Sequence, residues 1–342
     1  MRRFTASIVT LAFLLAVVFL ALHPGADLPG GSVLAAPGGP TATPTPAGTP
    51  DPYAGLGIND LAARNYGSGT LEIVETLESG NTFTRSLIAY SSDDLTIYGF
   101  MDMPPGDGPF PVIIALHGYI DPAAYYTLDY TTHYADALAN AGYLVMHPNL
   151  RGYTPSDSGP NLFRVGMAID VLNLIALVRE YGGTPGSLHA ANPDRIGLWG
   201  HSMGGGISLR VLTVSEDVDA AVLYGAMSGD DEQNFAAIRE WSGHTRGLDE
   251  EDIPAEVYER VSPIFYLDRI QAAVSIHHGG ADELVPLAWS QDLCTRLMVL
   301  EKSVECYTYD GQPHTFAGDG DTLFIQRTIR FFDATLKNPA LP

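Results

Sequence analysis

From about Ser68 the chain carries three runs rich in β-branched and aromatic residues, "LEIVETLE", "TFTRSLIAYSS" and "LTIYGFMDMP", separated by turn signals. Such runs predict strands, here an antiparallel lead-in. The next stretch, "PVIIALHG", is continuously apolar, as expected of a strand buried on both faces. After it the pattern alternates. A helix near 130–141 precedes the strand "YLVMHPN", and a longer helix over 163–181 places Val165, Ile169, Leu172 and Ala176 on one face. The strand "RIGLWG", a helix after Ser202 and the strand "AAVLYGA" follow, and then about 40 residues read as irregular. The chain closes with the strand "AVSIHHG", a helix near 289–300, the strand "SVECYTYD" and a helix with Ile325, Ile329, Phe332 and Leu336 in register. Repeated strand–helix units predict an α/β fold with a mainly parallel central sheet, helices on both faces and an antiparallel N-terminal lead-in.

The first residues have a different layout. Two arginines precede an apolar run from Ile8 to Leu22, and small residues follow at "SVLAAPGG". This predicts a secretory signal peptide over 1–35, since the run falls short of the ~20 residues that span a bilayer comfortably. An uncleaved N-terminal anchor is the other reading. Residues 36–67 open with "PGGPTATPTPAGTPDP", which has no apolar periodicity and predicts an extended tether and short lead-in. The catalytic domain is then 68–338, with 225–262 as a lid insertion or a solvated surface loop. Export implies a secreted, extracellular or cell-envelope location. It also places Cys294 and Cys306, the only two cysteines, in an oxidising compartment, which predicts a disulfide between them.

Composition narrows the function. In 342 residues there are 40 acidic against 18 Lys and Arg, a net charge of −22, which repels nucleic-acid phosphates and anionic membrane surfaces. The turns "SGDD" and "GDGD" are read as solvated rather than calcium-binding, and no His or Cys stands beside the cysteines at metal-ligand spacing.

The glycine-rich turn in "DRIGLWGHSMGGGISLRVL" admits two chemistries. A dinucleotide fingerprint needs glycine at i, i+2 and i+5, and a phosphate loop ends in Gly-Lys-Ser/Thr; neither spacing is present. Gly200-His201-Ser202-Met203-Gly204 does fit G-x-S-x-G, in which a sharp strand-to-helix turn raises a serine above the sheet. Its base and orienting acid are expected after later strands, in the order Ser, Asp/Glu, His. Asp282 in "HHGGADELVP" and His314 in "GQPHTF" occupy those places. Glu283 is expected to point elsewhere, Asp310 is too near His314, His201 packs in the elbow, and at least one of His277 and His278 faces the interior. The oxyanion donors are expected to be the backbone N–H groups of Met203 and Tyr119, the latter following "PVIIALHG". The Tyr119 hydroxyl is an alternative donor, and its ring an alternative pocket wall.

These residues resemble the α/β-hydrolase superfamily and, within it, the prolyl oligopeptidase catalytic domain (dipeptidyl-aminopeptidase/acylaminoacyl-peptidase). The likeness runs through "HGY", "NLRGY", "GLWGHSMGGG", "SPIFYLDRI", "HHGGADELVP" and "PHTF", roughly residues 85–337. It implies Ser202 as nucleophile, Asp282 as acid and His314 as base. The large peptidases also carry an N-terminal β-propeller that gates the site, and this chain has no room for one. "GHSMGGG" and "HGY" also look like secreted cutinases, so a carboxylesterase, polyester or feruloyl-type esterase is the alternative to a peptidase, while "ADELVP" and the long lead-in favour the peptidase-like branch. A binding module on an inactive hydrolase fold would normally have lost a triad member. The expected partner is a small ester or short peptide, with no cofactor, no metal, no nucleic acid and no stable membrane partner beyond a possible N-terminal anchor.

Overall fold

The computed structural model describes residues 51–338, except Tyr130; the expected export signal and most of the tether lie outside them. Nine strands form one sheet in the order β1-β2-β3-β5-β4-β6-β7-β8-β9. The lead-in strands β1 (Leu71–Ser79), β2 (Thr84–Ser92) and β3 (Leu95–Met103) pair antiparallel, and β3 pairs antiparallel with β5 (Leu144–Pro148). From β5 the sheet is parallel through β4 (Phe110–Leu116), β6 (Ala191–His201), β7 (Ala220–Tyr224), β8 (Ala273–Gly279) and β9 (Val304–Tyr309). The strand order reverses at β4, with β5 on one side and β6 on the other. A crevice therefore opens beyond the C-terminal ends of β4 and β6, the place where open α/β sheets bind ligands.

Alternation along the strands explains why both faces are covered. Val112, Ile114 and Leu116 of β4 share one core with β6 residues Ile196 and Leu198 and with α3 (Val165–Tyr181), α4 (Met203–Val214) and α7 (Leu287–Val299). Ile113 and Ala115 face the other core with Trp199, Tyr224 and residues of α2 (Thr132–Asn140) and α8 (Gly318–Phe332). Helix α3 is buried beyond the face its periodicity marked: Val165 to Ile175 are buried without a break, and Ala176 is only partly covered. Its inward polar groups are satisfied. Asp170 takes the Ser92 hydroxyl at 2.6 Å and the Arg151 guanidinium at 2.7 Å, and the Asn173 carbonyl oxygen accepts from the Gly67 amide at 2.9 Å.

Two stretches are more ordered than their sequence pattern implied. Residues 51–67, expected as the end of a tether and a lead-in, contain α1 (Ile58–Ala62), with Ile58 and Leu61 fully buried; Leu61 joins Phe163, Ile169 and Val261 in a small third core. The segment read as irregular after β7 contains α5 (Asp231–Trp241), a 3-10 turn at Leu248–Glu250 and α6 (Ala255–Val261). Helix α5 escapes an apolar-period reading because its buried residues are Asp231 and Asn234, both polar. Its start is marked by Asp230, whose carboxylate accepts the Glu232 amide at 3.0 Å.

The expected Cys294–Cys306 disulfide is present and ties α7 to β9. Among the described residues no helix is long and apolar enough to cross a membrane.

Candidate active site

The turn between β6 and α4 forces Ser202 into φ 55°, ψ −115°, a region that non-glycine residues rarely occupy. Its backbone is locked from both sides: the amide donates to Tyr224 O at 2.9 Å, and the carbonyl accepts from Met227 N at 3.0 Å. The flanking glycines are required by close approach. A Cβ on Gly200 would lie 2.4 Å from the carbonyl oxygen of Gly204, and one on Gly204 would lie 2.3 Å from that of Leu116. The elbow is thus pressed against the C-terminal end of β4. Met203 begins α4, where the first backbone N–H groups have no partner within the helix and the dipole favours negative charge.

The residues expected to complete the site come together from two later loops. His314 follows β9 and is buried, and its Nδ1 lies 2.8 Å from Asp282 Oδ2, on the loop after β8. The residue before the serine, His201, lies against His314 with tilted rings whose centroids are 4.6 Å apart, and its Nε2 donates to the His314 carbonyl at 3.1 Å. Burial pushes His201 down to about 3, so it packs as a neutral ring. Glu283 does point elsewhere: it accepts the backbone amide of His314 at 3.3 Å, not the ring.

Asp282 is almost wholly enclosed. Burial alone would raise its pKa, but hydrogen bonds from His278, His314 and the Val285 amide outweigh that and hold the carboxyl well below the usual range. Oδ1 accepts the Leu284 and Val285 amides at 2.9 and 2.8 Å, and Oδ2 lies 3.1 Å from His278 Nε2 as well as 2.8 Å from His314. Both strand histidines are interior: His277 lies between Ser275 Oγ and the Tyr309 hydroxyl, each at 2.8 Å.

Tyr119 lies on the loop after β4 beside the elbow, with its ring half-exposed beneath the Arg246 guanidinium, 4.5 Å from the ring centre. Arg246 also pairs with Asp121 at 3.2 Å, and Trp241 sits with its ring centre 6.5 Å from that of Trp289 on α7. The stretch 241–246, between β7 and β8, therefore reaches the loop after β4 at one end and the start of α7 at the other.

Several neighbours of the site carry no motif. Gly225, at φ +49°, leaves room where a Cβ would lie 3.3 Å from the His314 ring and 3.5 Å from Asp282 Oδ2. A narrow crevice beside Met203 is lined by Phe163, Arg164, Met227, Ser228, Asp231 and Asn234, among others, and the Asn234 Oδ1 is buried without a hydrogen-bond partner. Only Met203 of this group was legible in advance, because the others reach the site through tertiary packing rather than local spacing. Among the described residues no group of three or more His, Cys, Asp or Glu side chains is arranged to hold a metal ion.

The family model for the alpha/beta hydrolase fold matches residues 111–293, a span that includes the elbow and Asp282. The chain belongs to the α/β hydrolase fold family. A Synechocystis sp. protein carrying the provisional name carboxymethylenebutenolidase is 22% identical over 245 residues, 68% of this chain and 87% of that protein. Among solved structures, the acylaminoacyl peptidase of Pyrococcus horikoshii superposes with a TM-score of 0.63 at 22% identity, over 76% of this chain and 43% of the peptidase. This α/β hydrolase thus spans less than half of that enzyme. Acetyl xylan esterase 1 of Thermoanaerobacterium sp. gives a TM-score of 0.59 at 16% identity, over 80% of this chain and 92% of the esterase.

Proposed function

We propose that this α/β hydrolase is an exported serine hydrolase that cleaves an ester or amide bond through an acyl-enzyme. The observation that carries the reading is the Asp282–His314 pair at 2.8 Å, beside a serine held in a strained elbow at the start of a helix.

Asp282 Oδ2 accepts the Nδ1–H of His314, which leaves Nε2 unprotonated and able to act as a base. Nε2 takes the Ser202 proton as Oγ attacks the carbonyl carbon. The resulting oxyanion is held by the backbone N–H of Met203 and that of Tyr119, aided by the positive end of α4. Collapse transfers the proton from His314 to the leaving alcohol or amine. Water then repeats the sequence on the acyl-enzyme, releasing the acid and restoring Ser202.

A carboxylesterase acting on small acyl groups is the second reading, suggested by the likeness to the acetyl xylan esterase. This chain matches nearly all of the acetyl xylan esterase but less than half of the peptidase, whose activity as a whole belongs to a longer chain. The bond between Cys294 and Cys306 supports work in an oxidising compartment outside the cytoplasm.

The test is labelling with a fluorophosphonate, with Ser202→Ala as control, followed by turnover of 4-nitrophenyl acetate against a peptide 4-nitroanilide. Wild type should label, Ser202→Ala should not, and the acetate should be the faster substrate. Equal labelling of the variant would remove Ser202 from the mechanism, and faster turnover of the anilide would return the peptidase reading.

A further inference from the structure

The Asp282 carboxylate serves two imidazoles, and only one of them belongs to the proposed triad. His278, on β8, places Nε2 3.1 Å from the same Oδ2 that accepts the His314 Nδ1–H. That Nε2 also lies 3.0 Å from the Val285 carbonyl, while Nδ1 lies 2.7 Å from the Ser290 hydroxyl of α7. Both neighbours of Nε2 only accept, so Nε2 carries the proton; Ser290, which can donate, is then free to place its hydrogen on Nδ1. His278 and Ser290 are both buried.

From this geometry we infer that His278, oriented by Ser290, is a positioning residue for the acid, resting on the reading of Asp282 as the acid of a serine hydrolase. The side chain has no route to the substrate, because Asp282 stands between it and His314. It acts on the carboxylate in two ways. It fixes the torsion of Asp282 by gripping one oxygen while the Leu284 and Val285 amides grip the other. It also draws part of the charge on Oδ2 away from His314. A carboxylate freed of that second donor attracts the His314 imidazolium more strongly. The titratable groups facing His278 are Asp282 directly, with His314 and His201 beyond it.

The consequence is specific. Removing the donor should lower kcat, because the acid is no longer held in line, and should move the acidic limb of the rate profile to higher pH, because the imidazolium of His314 is better stabilised. A residue that merely fills space would do neither.

The experiment compares His278→Leu, His278→Gln and Ser290→Ala with wild type and Ser202→Ala, using 4-nitrophenyl acetate and thermal unfolding. His278→Leu should lose about 10-fold in kcat, with KM changed by less than about twofold, as for one hydrogen bond to a charged group. Its acidic limb should rise by about half a pH unit. His278→Gln returns an N–H near the same place and should recover most of the rate and the limb. Ser290→Ala disturbs only the atom behind the ring and should show a smaller change in the same direction, about threefold; it keeps the question open to test if His278→Leu fails to fold. Wild-type kcat and an unmoved limb in folded His278→Leu, or a Gln variant as impaired as the Leu variant, would overturn the assignment. Activity retained by Ser202→Ala would instead overturn the hydrolase reading on which it rests.

Discussion

Two carboxylates are buried to nearly the same depth in this molecule, and they are held by opposite means. Asp231, at the start of the inserted segment, takes Arg210 at 2.6 Å and Arg164 at 3.0 Å; Arg164 also reaches Glu250 at 3.3 Å. Among the described residues Asp282 has no guanidinium or ammonium partner: its oxygens meet two backbone amides and two imidazoles. At Asp231 the charge is cancelled by fixed cations, so the cluster is a clamp that fastens the inserted segment to α4. At Asp282 the charge is stabilised without being cancelled, so it remains available to an imidazole that becomes cationic during turnover. The same residue type at the same depth is a fastener in one place and a working group in the other, and the donors decide which.

Removing each charge should separate the two roles. Asp282→Asn should lower kcat by about 10⁴-fold, because an amide both loses the charge and can present the wrong tautomer of His314. Folding should suffer much less, as the amide can still accept from Leu284 and Val285. Turnover of 4-nitrophenyl acetate and a thermal melt on the same sample check both parts. A loss of under about 10-fold would show that Asp282 is not the acid.

Asp231→Asn should do the reverse. It leaves Arg210, itself buried, short of its counter-charge, which costs about 3–5 kcal/mol. The melting temperature should fall by about 10 °C, while kcat per folded molecule stays within about twofold. A large fall in kcat with an unchanged melt would move the Asp231 cluster from the clamp to the site.

A smaller effect, spread over several groups, is expected from acid. Burial pushes His201 and His277 down to about 3 and also lowers His117 and His147. Below their ordinary value near 6.5 the unfolded chain takes up protons that the folded one refuses, so stability falls as pH falls. Each such histidine contributes at most about 1.4 kcal/mol per pH unit across that window. Asp282 adds loss in the same direction lower down: its pKa is depressed, so its contribution is present above the ordinary carboxylate range and is lost as pH falls through the folded value. Melts from pH 7 to 4 should show a steady decline, and His277→Gln should flatten the upper part of it. A melting temperature that holds constant to pH 4 would mean that these rings are not held neutral.

How much of this contrast could be seen beforehand depends on what kind of information each part uses. Ser202, Asp282 and His314 each follow a parallel strand, and the strand–helix alternation places those strands in the sequence, so the site's order was readable from spacing. Of the pair "HH" at 277–278, only that at least one faces the interior was readable. Which of the two reaches Asp282 is set by the pleat of β8 and the placement of α7 against it. Helix α5 was hidden because it buries Asp231 and Asn234, and buried polar residues leave no hydrophobic period. Residues 51–67 were hidden for a related reason: Ile58 and Leu61 are too few to mark an amphipathic pattern, although both are fully buried in the fold, Leu61 against residues of α3 and α6.

The smallest effect tests the far end of the inserted segment. Where Asp231 is clamped in the interior, Arg246 meets Asp121 and the Tyr119 ring with side chains 44% and 58% exposed at the ion pair. An exposed pair of this kind contributes less than about 1 kcal/mol and is screened by salt. Arg246→Ala should therefore shift the melt by no more than about 2 °C. Its effect should appear in substrate size instead, because the contact joins the inserted segment to the loop that carries Tyr119. Turnover of 4-nitrophenyl acetate should stay within about twofold, while KM for a long-chain ester should fall by about two- to threefold as the segment loosens, the scale set by one weak surface contact. Wild type in concentrated salt should move in the same direction, since screening weakens the ion pair without altering any residue. If Arg246→Ala instead slows the acetate by 10-fold or more, on the order of an oxyanion donor partly displaced, then the contact holds the Tyr119 loop in place for chemistry, and the contrast between a fixed root and a loose tip fails at its outer end.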